Sequence, residues 1–133
     1  MNPADALARH RLARARTALE EANLLIAQGL LSGGLNRAYY AAFYAARAAL
    51  ATVNADSSRH SGTIALFQQH FVRTGLVPAE AAKALPRAFE KRQTTDYGDF
   101  SEPTRDEVVS VRDQVEAFIA ACQHVIDHPA PSA

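Results

Sequence analysis

The sequence has only one cysteine among its 133 residues, so no disulfide can form within the chain. Cys122 falls in an apolar helical pattern, which predicts a small buried hydrophobic side chain rather than a reactive thiol. Fourteen basic and fourteen acidic residues cancel. This balance excludes a protein that holds nucleic acid by bulk positive charge, and it limits any RNA site to a local patch.

The sequence also lacks an apolar leader with a cleavage site and any run of about 18 apolar residues, so we expect a cytoplasmic protein without membrane contact. It has no glycine-rich phosphate loop, no His-Glu-x-x-His or Cys-x-x-Cys motif, and no stretch with strand periodicity. We therefore expect no metal and no cofactor. The apolar content of 48% is ordinary for a globular protein. The length predicts one domain over residues 1–128, followed by a disordered tail at 129–133.

The most informative stretch, residues 36–53, carries two helical stripes. The first recurs at steps of four, three, four and three, which predicts a buried side, and consists of Tyr39, Phe43, Ala46, Leu50 and Val53. The second stripe lies on the neighbouring face and consists of Arg37, Tyr40, Tyr44, Arg47 and Ala51. Its aromatic area exceeds what one antiparallel neighbour can cover. We therefore expect the central helix of a bundle, and a two-fold homodimer that buries part of the second stripe.

Helix signals also mark the segments on either side of this stretch. Asn2 and Pro3 predict the start of a helix that runs to about Gln28, with a narrow seam of alanine and leucine. Gly29 and the Ser32-Gly33-Gly34 cluster predict an interruption and a chain reversal before the central helix. A third helix is expected to begin near Arg59 and to close at Gly75.

Two prolines and a capping pair organise the second half of the chain. Pro78 suits the first turn of a helix, whereas Pro86 in its interior should kink or split that helix near Leu85. Thr104 and Glu107 predict a capping box for a last helix. The predicted buried side of that helix consists of Val108, Val111, Val115, Phe118, Cys122 and Val125. The sequence therefore predicts an all-α fold, an antiparallel bundle of four to five helices.

Three polar side chains adjoin these apolar lines. Arg92 and Asp96 continue the helical line of Leu85 and Phe89, and two opposite charges one turn apart can satisfy each other at the edge of a core. His60 lies one turn ahead of the apolar stripe of the third helix. A hydrogen-bonded structural role is the first interpretation of this histidine, and a catalytic role is the alternative.

Three segments together resemble the HEPN domain, the small helical domain found in many prokaryotic toxin and antitoxin loci, and especially its short stand-alone branch. They are Arg37-Ala38-Tyr39-Tyr40-Ala41-Ala42-Phe43-Tyr44, Arg59-His60-Ser61-Gly62 with Phe67 and Phe71, and Arg92-Gln93-Thr94-Thr95-Asp96-Tyr97. Their order and separations cover roughly residues 5–126. The resemblance implies a helical bundle that forms a homodimer and is often encoded beside a minimal nucleotidyltransferase. It also implies that some members are metal-independent ribonucleases.

In the ribonuclease members an arginine is followed, after four to six residues, by a histidine. Arg92 matches that arginine, but none of the seven residues after it, 93–99, is a histidine. Tyr97 stands in the corresponding region, and a phenol titrates near pH ~10, so it is a poor general acid or base at neutral pH. The resemblance therefore implies a site that keeps its arginine and lacks its usual imidazole, unless His60 supplies one from another helix.

Three functions are compatible with these residues. The first is a HEPN protein of a toxin–antitoxin-type pair, a homodimer that works with a nucleotidyltransferase and binds RNA or nucleotide; its binding residues would be Arg92, Asp96, Tyr97, Arg37 and Tyr40. The second is a metal-independent ribonuclease with a modified active site, in which Arg92 stabilises phosphate charge and His60 or Tyr97 transfers protons. The third is a non-catalytic structural or antitoxin subunit, whose Arg92–Asp96 pair only stabilises the bundle.

Overall fold

The computed structural model describes residues 2–97 and 102–129, and within these ranges it contains helices and no strand. The helices are α1 (Pro3–Ala27), α2 (Leu31–Ala51), α3 (His60–Phe67), α4 (Ala79–Ala82), α5 (Ala84–Tyr97) and α6 (Arg105–Asp127). A π-helical segment, Gln68–Val72, continues α3. The predicted all-α bundle is confirmed, with α4 contributing a single turn.

The first helix begins and ends as its sequence signals predict. The side-chain oxygen of Asn2 accepts a hydrogen bond from the backbone N–H of Asp5 at 2.7 Å, and Pro3 occupies the first turn. The seam of α1 is buried through Ala8, Leu12, Ala15, Ala18, Ala22 and Ile26. Small side chains along this seam allow the neighbouring helices to approach closely.

The reversal between α1 and α2 uses glycine in two different ways. Gly29 has φ of 77°, a left-handed conformation that ends α1. The prediction that the Ser32-Gly33-Gly34 cluster interrupts the helical pattern is wrong, because α2 begins at Leu31 and includes it. Gly34 packs against α1, where an added Cβ would lie 2.8 Å from Cγ1 of Ile26. Glycine is therefore present there for close helix contact rather than for a break.

The core follows the first stripe of α2. Tyr39, Phe43, Ala46 and Leu50 are all buried, as predicted. The stripe was expected to continue to Val53, and this is wrong: Val53 is 39% exposed, since α2 ends at Ala51 and the helical period no longer applies beyond it. Helix α1 packs antiparallel to α2, because Ile26 near its end contacts the start of α2, whereas Arg14 in its first half contacts Tyr44 near the end of α2.

The segment between α3 and α5 contains the predicted breaks. Gly75 has φ of 78° and lies in the turn that follows the π-helical segment. Pro78 precedes α4, and the helical pattern is interrupted at Lys83 before α5 begins at Ala84. The predicted split near Leu85 is confirmed. Pro86 therefore lies in the first turn of α5. Backbone N–H groups in a first turn have no acceptor within the helix, so the lack of an N–H in proline removes no helical hydrogen bond there.

The last helix is held at its start and along its whole apolar side. The hydroxyl of Thr104 accepts a hydrogen bond from the backbone N–H of Glu107 at 3.2 Å, and the Glu107 carboxylate accepts one from the backbone N–H of Thr104 at 3.2 Å. This confirms the predicted capping box. All six residues of the predicted apolar side are buried. Burial raises the pKa of the Cys122 thiol far above its usual range, which agrees with its predicted role as a small hydrophobic residue.

Helix α6 runs antiparallel to α1. The guanidinium of Arg9 donates to Asp127 at 2.5 Å, and that of Arg112 donates to Asn23 at 2.8 Å, so the start of each helix meets the end of the other. The predicted tail at 129–133 lies outside the described residues, apart from Pro129. None of the helices in the described ranges is long and apolar enough to cross a membrane.

Candidate functional site

Helices α2, α3 and α5 meet at a buried phenol. The Tyr39 ring is fully buried in α2, and its hydroxyl is hydrogen-bonded to Nδ1 of His60, the first residue of α3. A buried tyrosine hydroxyl needs a polar partner, because leaving it unpaired in an apolar core costs free energy. The hydrogen bond with His60 satisfies this requirement and connects α2 to α3.

The imidazole of His60 is packed among aromatic rings. Its ring centroid lies 4.8 Å from that of Phe89 in a stacked arrangement, and 5.2 Å from those of both Phe43 and Tyr39. Burial lowers the pKa of His60, and the positive charge of Arg92 lowers it further. His60 is therefore mainly neutral at pH 7, as expected for the hydrogen-bonded structural histidine that the sequence predicts.

Arg92 of α5 lies over two tyrosine rings of α2. The guanidinium carbon is 5.0 Å from the ring centroid of Tyr39 and 5.2 Å from that of Tyr40. A cation over an aromatic face within about 6 Å is attracted to the ring, and the attraction strengthens as water is excluded. Arg92 is half-buried, so the two rings fix the orientation of its planar group.

A second arginine shares the Tyr40 ring. The guanidinium carbon of Arg37 is 5.2 Å from the Tyr40 centroid, and its Nε lies 3.9 Å from a carboxylate oxygen of Glu21. That Nε is buried and has no hydrogen-bond partner among the described residues. Arg37 therefore keeps donor capacity beside the Tyr40 ring. We call the group of Arg37, Tyr39, Tyr40, His60 and Arg92 the arginine–tyrosine cluster.

Four of the six residues that the sequence singles out lie in this cluster. These residues come from three helices: His60, Tyr40 and Arg92 contact Tyr39, and Arg37 lies over Tyr40. The side chains of Asp96 and Tyr97 lie outside the described residues, so their contacts with Arg92 remain predictions.

Sequence reasoning assigned Tyr39 and Phe89 to the core alone and missed their role beside the polar residues. A signal for the first was present, because a tyrosine in a fully buried stripe requires a hydrogen-bond partner. His60, at the predicted start of the next helix, was a candidate for that partner. No comparable signal identified Phe89, whose stacking on the imidazole depends on how α5 packs beside α3.

The cluster combines two guanidinium groups with tyrosine rings, a combination that suits an anionic ligand. Guanidinium groups carry planar hydrogen-bond donors that match phosphate oxygens, and the contacts with the tyrosine rings reduce the freedom of Arg37 and Arg92. Within the described ranges, no group of three or more His, Cys, Asp or Glu side chains is placed to hold a metal ion.

The fold and the cluster define a small α-helical bundle with a cationic and aromatic patch on its central helix. The family model described as HEPN domain matches residues 8–125. The chain therefore belongs to the HEPN family, and the resemblance found in the sequence is confirmed. The match includes every residue of the arginine–tyrosine cluster.

Related proteins cover most of the chain. A UPF0332 protein of Thermotoga maritima is 36% identical over 127 residues, which is 96% of each chain. A UPF0332 protein of Archaeoglobus fulgidus is 31% identical over 117 residues, 88% of this chain and 93% of that one. The Methanocaldococcus jannaschii protein named "Putative toxin MJ0605" is 31% identical over 101 residues, 76% of this chain and 75% of that one.

Proposed function

We propose that this protein is the HEPN member of a toxin–antitoxin-type pair, that it acts as a homodimer with a minimal nucleotidyltransferase partner, and that it binds RNA or nucleotide at the arginine–tyrosine cluster. Membership of the HEPN family and the similarity to a protein with a toxin name support the first part. The geometry around Tyr40 supports the last part. Localisation in the cytoplasm, where RNA and such a partner occur, completes the proposal.

The observation that carries the binding proposal is the convergence of two arginines on one ring. The guanidinium carbons of Arg37 and Arg92 each lie 5.2 Å from the centroid of Tyr40. Two positively charged groups beside one ring raise the local positive potential, which favours an anionic ligand. Since the chain has no net charge, such a local pair is the arrangement by which it could still attract a phosphate.

Substitution of Arg92 by lysine tests this proposal, because lysine keeps the charge and loses the planar donors. Binding of a labelled single-stranded RNA, measured by fluorescence anisotropy, should weaken by about tenfold or more, since hydrogen bonds to charged groups contribute about 1.5–3 kcal/mol and 1.4 kcal/mol is a factor of ten. Arg87→Lys is the matched control. Arg87 lies on the same helix, is exposed and pairs with Glu80 at 3.5 Å, so this change should leave binding unaltered.

The third hypothesis, a purely structural role, gives a different result in the same experiment. If Arg92 only stabilises the bundle, Arg92→Ala will lower the melting temperature and RNA binding will be the same before and after substitution. That outcome would reject the binding proposal. A loss of binding with a nearly unchanged melting temperature supports it.

The assembly part of the proposal has its own measurements. Light scattering should give the mass of a dimer at micromolar concentrations, and a monomer over that whole range would contradict the homodimer. Co-expression with a minimal nucleotidyltransferase encoded beside its gene should give a complex that co-purifies. The absence of such a neighbour, or of a complex, would remove the partner from the proposal.

The ribonuclease alternative gains one observation from the structure. His60 and Arg92 both contact Tyr39, so an imidazole does lie near the family arginine although none follows it at the family spacing. However, three aromatic rings surround that imidazole, and its Nδ1 is engaged by Tyr39. A general acid or base must reach the substrate directly or through one water. We therefore rank binding above cleavage.

A further inference from the structure

A second cationic group lies beyond the arginine–tyrosine cluster, in a groove between α1 and α2. The groove has a volume of about 360 Å³, and its polar lining consists of His10, Arg14, Thr17, Glu21, Arg37 and Tyr44. The guanidinium carbon of Arg14 is 4.4 Å from the Tyr44 centroid, and its Nη2 donates to the Tyr44 hydroxyl at 3.1 Å. One tyrosine thus orients an exposed arginine by both its ring and its hydroxyl.

This groove is continuous with the cluster. Tyr44 and Tyr40 are one helical turn apart on α2, with ring centroids separated by 5.9 Å. Arg37 borders the groove and also lies over Tyr40. The order along the surface is therefore Arg92, Tyr40 with Arg37, then Tyr44 with Arg14. All of these side chains are half-buried except Arg14, which is exposed.

Three other arginines of α1 and α2 are held by carboxylates. Arg9 pairs with Asp127 at 2.5 Å, and Arg11 and Arg47 pair with Asp56 at 3.1 and 3.0 Å. Among the described residues no carboxylate pairs with Arg14.

Within the row, Arg37 has only a loose contact with Glu21, at 3.9 Å. That distance exceeds a hydrogen bond, so the carboxylate reduces the charge of Arg37 without occupying its donors. The positive charges of Arg14 and Arg37 are therefore less compensated by carboxylates than those of Arg9, Arg11 and Arg47.

We propose that Arg14, Arg37 and Arg92, laid over Tyr44 and Tyr40, form one track for the consecutive phosphates of a single-stranded RNA that extends from the arginine–tyrosine cluster into the α1–α2 groove. This inference rests on the proposed function and specifies its ligand as a chain of several nucleotides rather than a free nucleotide. Proteins that bind single strands combine a cationic groove with aromatic side chains, and this row has both elements. Arginine forks fit phosphate oxygens and can stack on bases with their outer faces.

Three substitutions test the track, with an oligonucleotide of about ten nucleotides as the probe. Arg14→Ala should weaken binding roughly fivefold and reduce the slope of log K against log salt concentration by about 0.7, the value for one lost phosphate contact on a single strand. Arg16→Ala is the matched control, because this substitution removes the same charge from an exposed position on another face of α1. Arg14→Gln repeats the test with a longer side chain.

A second set of substitutions should strengthen RNA binding instead of weakening it. Glu21→Gln removes the carboxylate beside Arg37 and should tighten binding about two- to fivefold. Glu20→Gln, an exposed neighbour outside the groove lining, should have no such effect. The effect of Arg14→Ala should be larger for the ten-nucleotide probe than for a dinucleotide, because only the longer chain reaches both ends of the track.

The outcomes separate this inference from the proposed function. If Arg92→Lys weakens binding of the long probe and Arg14→Ala behaves like Arg16→Ala, the track is overturned and the cluster alone binds RNA. If neither Arg92→Lys nor Arg14→Ala changes binding, both proposals are rejected. If a polyglutamate peptide of similar charge competes as well as the RNA, the row is a surface for an acidic protein and the RNA track is overturned.

Discussion

Tyr39 of α2 and His60 of α3 are joined by a hydrogen bond between the phenol hydroxyl and Nδ1 of the imidazole, at the point where Arg92 of α5 lies over the same tyrosine ring. The hydroxyl satisfies a donor or acceptor that the core would otherwise leave unpaired, and the ring supplies a face for the guanidinium. One side chain therefore has a structural role toward α3 and an electrostatic role toward α5. The two roles can be separated by substitution.

Tyr39→Phe removes the hydroxyl and keeps the ring. We expect the free energy of unfolding to fall by about 1–2 kcal/mol, because Nδ1 of half-buried His60 loses its partner. Binding of RNA should persist, since Arg92 still lies over an aromatic face. Urea denaturation followed by circular dichroism measures the first quantity, and fluorescence anisotropy measures the second.

Tyr40→Phe provides the comparison for that experiment. It removes a hydroxyl from the adjacent half-buried ring of the cluster and should change the free energy of unfolding by less than about 0.5 kcal/mol. Equal losses in the two variants would mean that the Tyr39–His60 hydrogen bond makes no specific contribution.

The lowered pKa of His60 predicts a pH dependence of stability. Burial is the main cause and Arg92 the second, so the folded protein binds a proton less tightly at this site than the unfolded chain does. Stability should therefore be highest above about pH 6.5, decrease as the pH falls through that value, and level off below the folded-state pKa. His60→Asn should flatten this part of the profile, whereas His10→Asn, on the exposed face of α1, should leave it in place.

The ion-pair network at Asp56 predicts a second dependence at lower pH. Hydrogen bonds from Arg47 and then Arg11 lower the pKa of Asp56 to about 2. Its contribution should be complete above an unfolded value of about 3.9 and be lost as the pH falls toward 2. We expect up to about 1 kcal/mol, because the carboxylate is half exposed. Asp56→Asn should remove this step in urea titrations, and Arg47→Gln should shift it to higher pH.

Local signals in the sequence determined much of the fold. The capping hydrogen bonds of Asn2 and Thr104 join residues only three positions apart, so both helix starts could be predicted without knowledge of the packing. The start of α2 could not be predicted in this way. Gly34 is consistent with either a break or a close contact, and only the position of Ile26 on the neighbouring helix distinguishes them.

The candidate site shows the same division. The residue types of Arg92 and His60 identified them as candidates, but their proximity depends on the packing of α3 and α5 against Tyr39, which no local pattern records. The second stripe of α2 was expected to lie in a dimer interface. That interface stays a prediction. Tyr44 of the stripe contacts Arg14 of the same chain, whose position over the ring depends on the antiparallel register of α1 and α2.

The last prediction is that the purified protein does not cleave RNA at a rate typical of the ribonucleases of its family. General acid–base catalysis contributes about 10²- to 10⁴-fold for each well-placed group. No histidine follows Arg92 at the family spacing, and the imidazole of His60 stacks on Phe89 with its Nδ1 engaged by Tyr39. Arg92 can still attract a phosphate, so binding should survive without hydrolysis.

The test incubates metal-free protein with structured and unstructured RNA, beside the Arg92→Ala and His60→Ala variants. Intact RNA in all samples is the expected result. Robust cleavage by the unaltered protein that either substitution abolishes would contradict the prediction, and it would mean that His60 becomes accessible when RNA binds. Cleavage of equal rate in all three samples would identify a contaminating nuclease, because no substitution in the cluster would then affect the reaction. Repeating the assay with protein purified until its rate of cleavage per mass is constant would distinguish cleavage by this protein from cleavage by a contaminant.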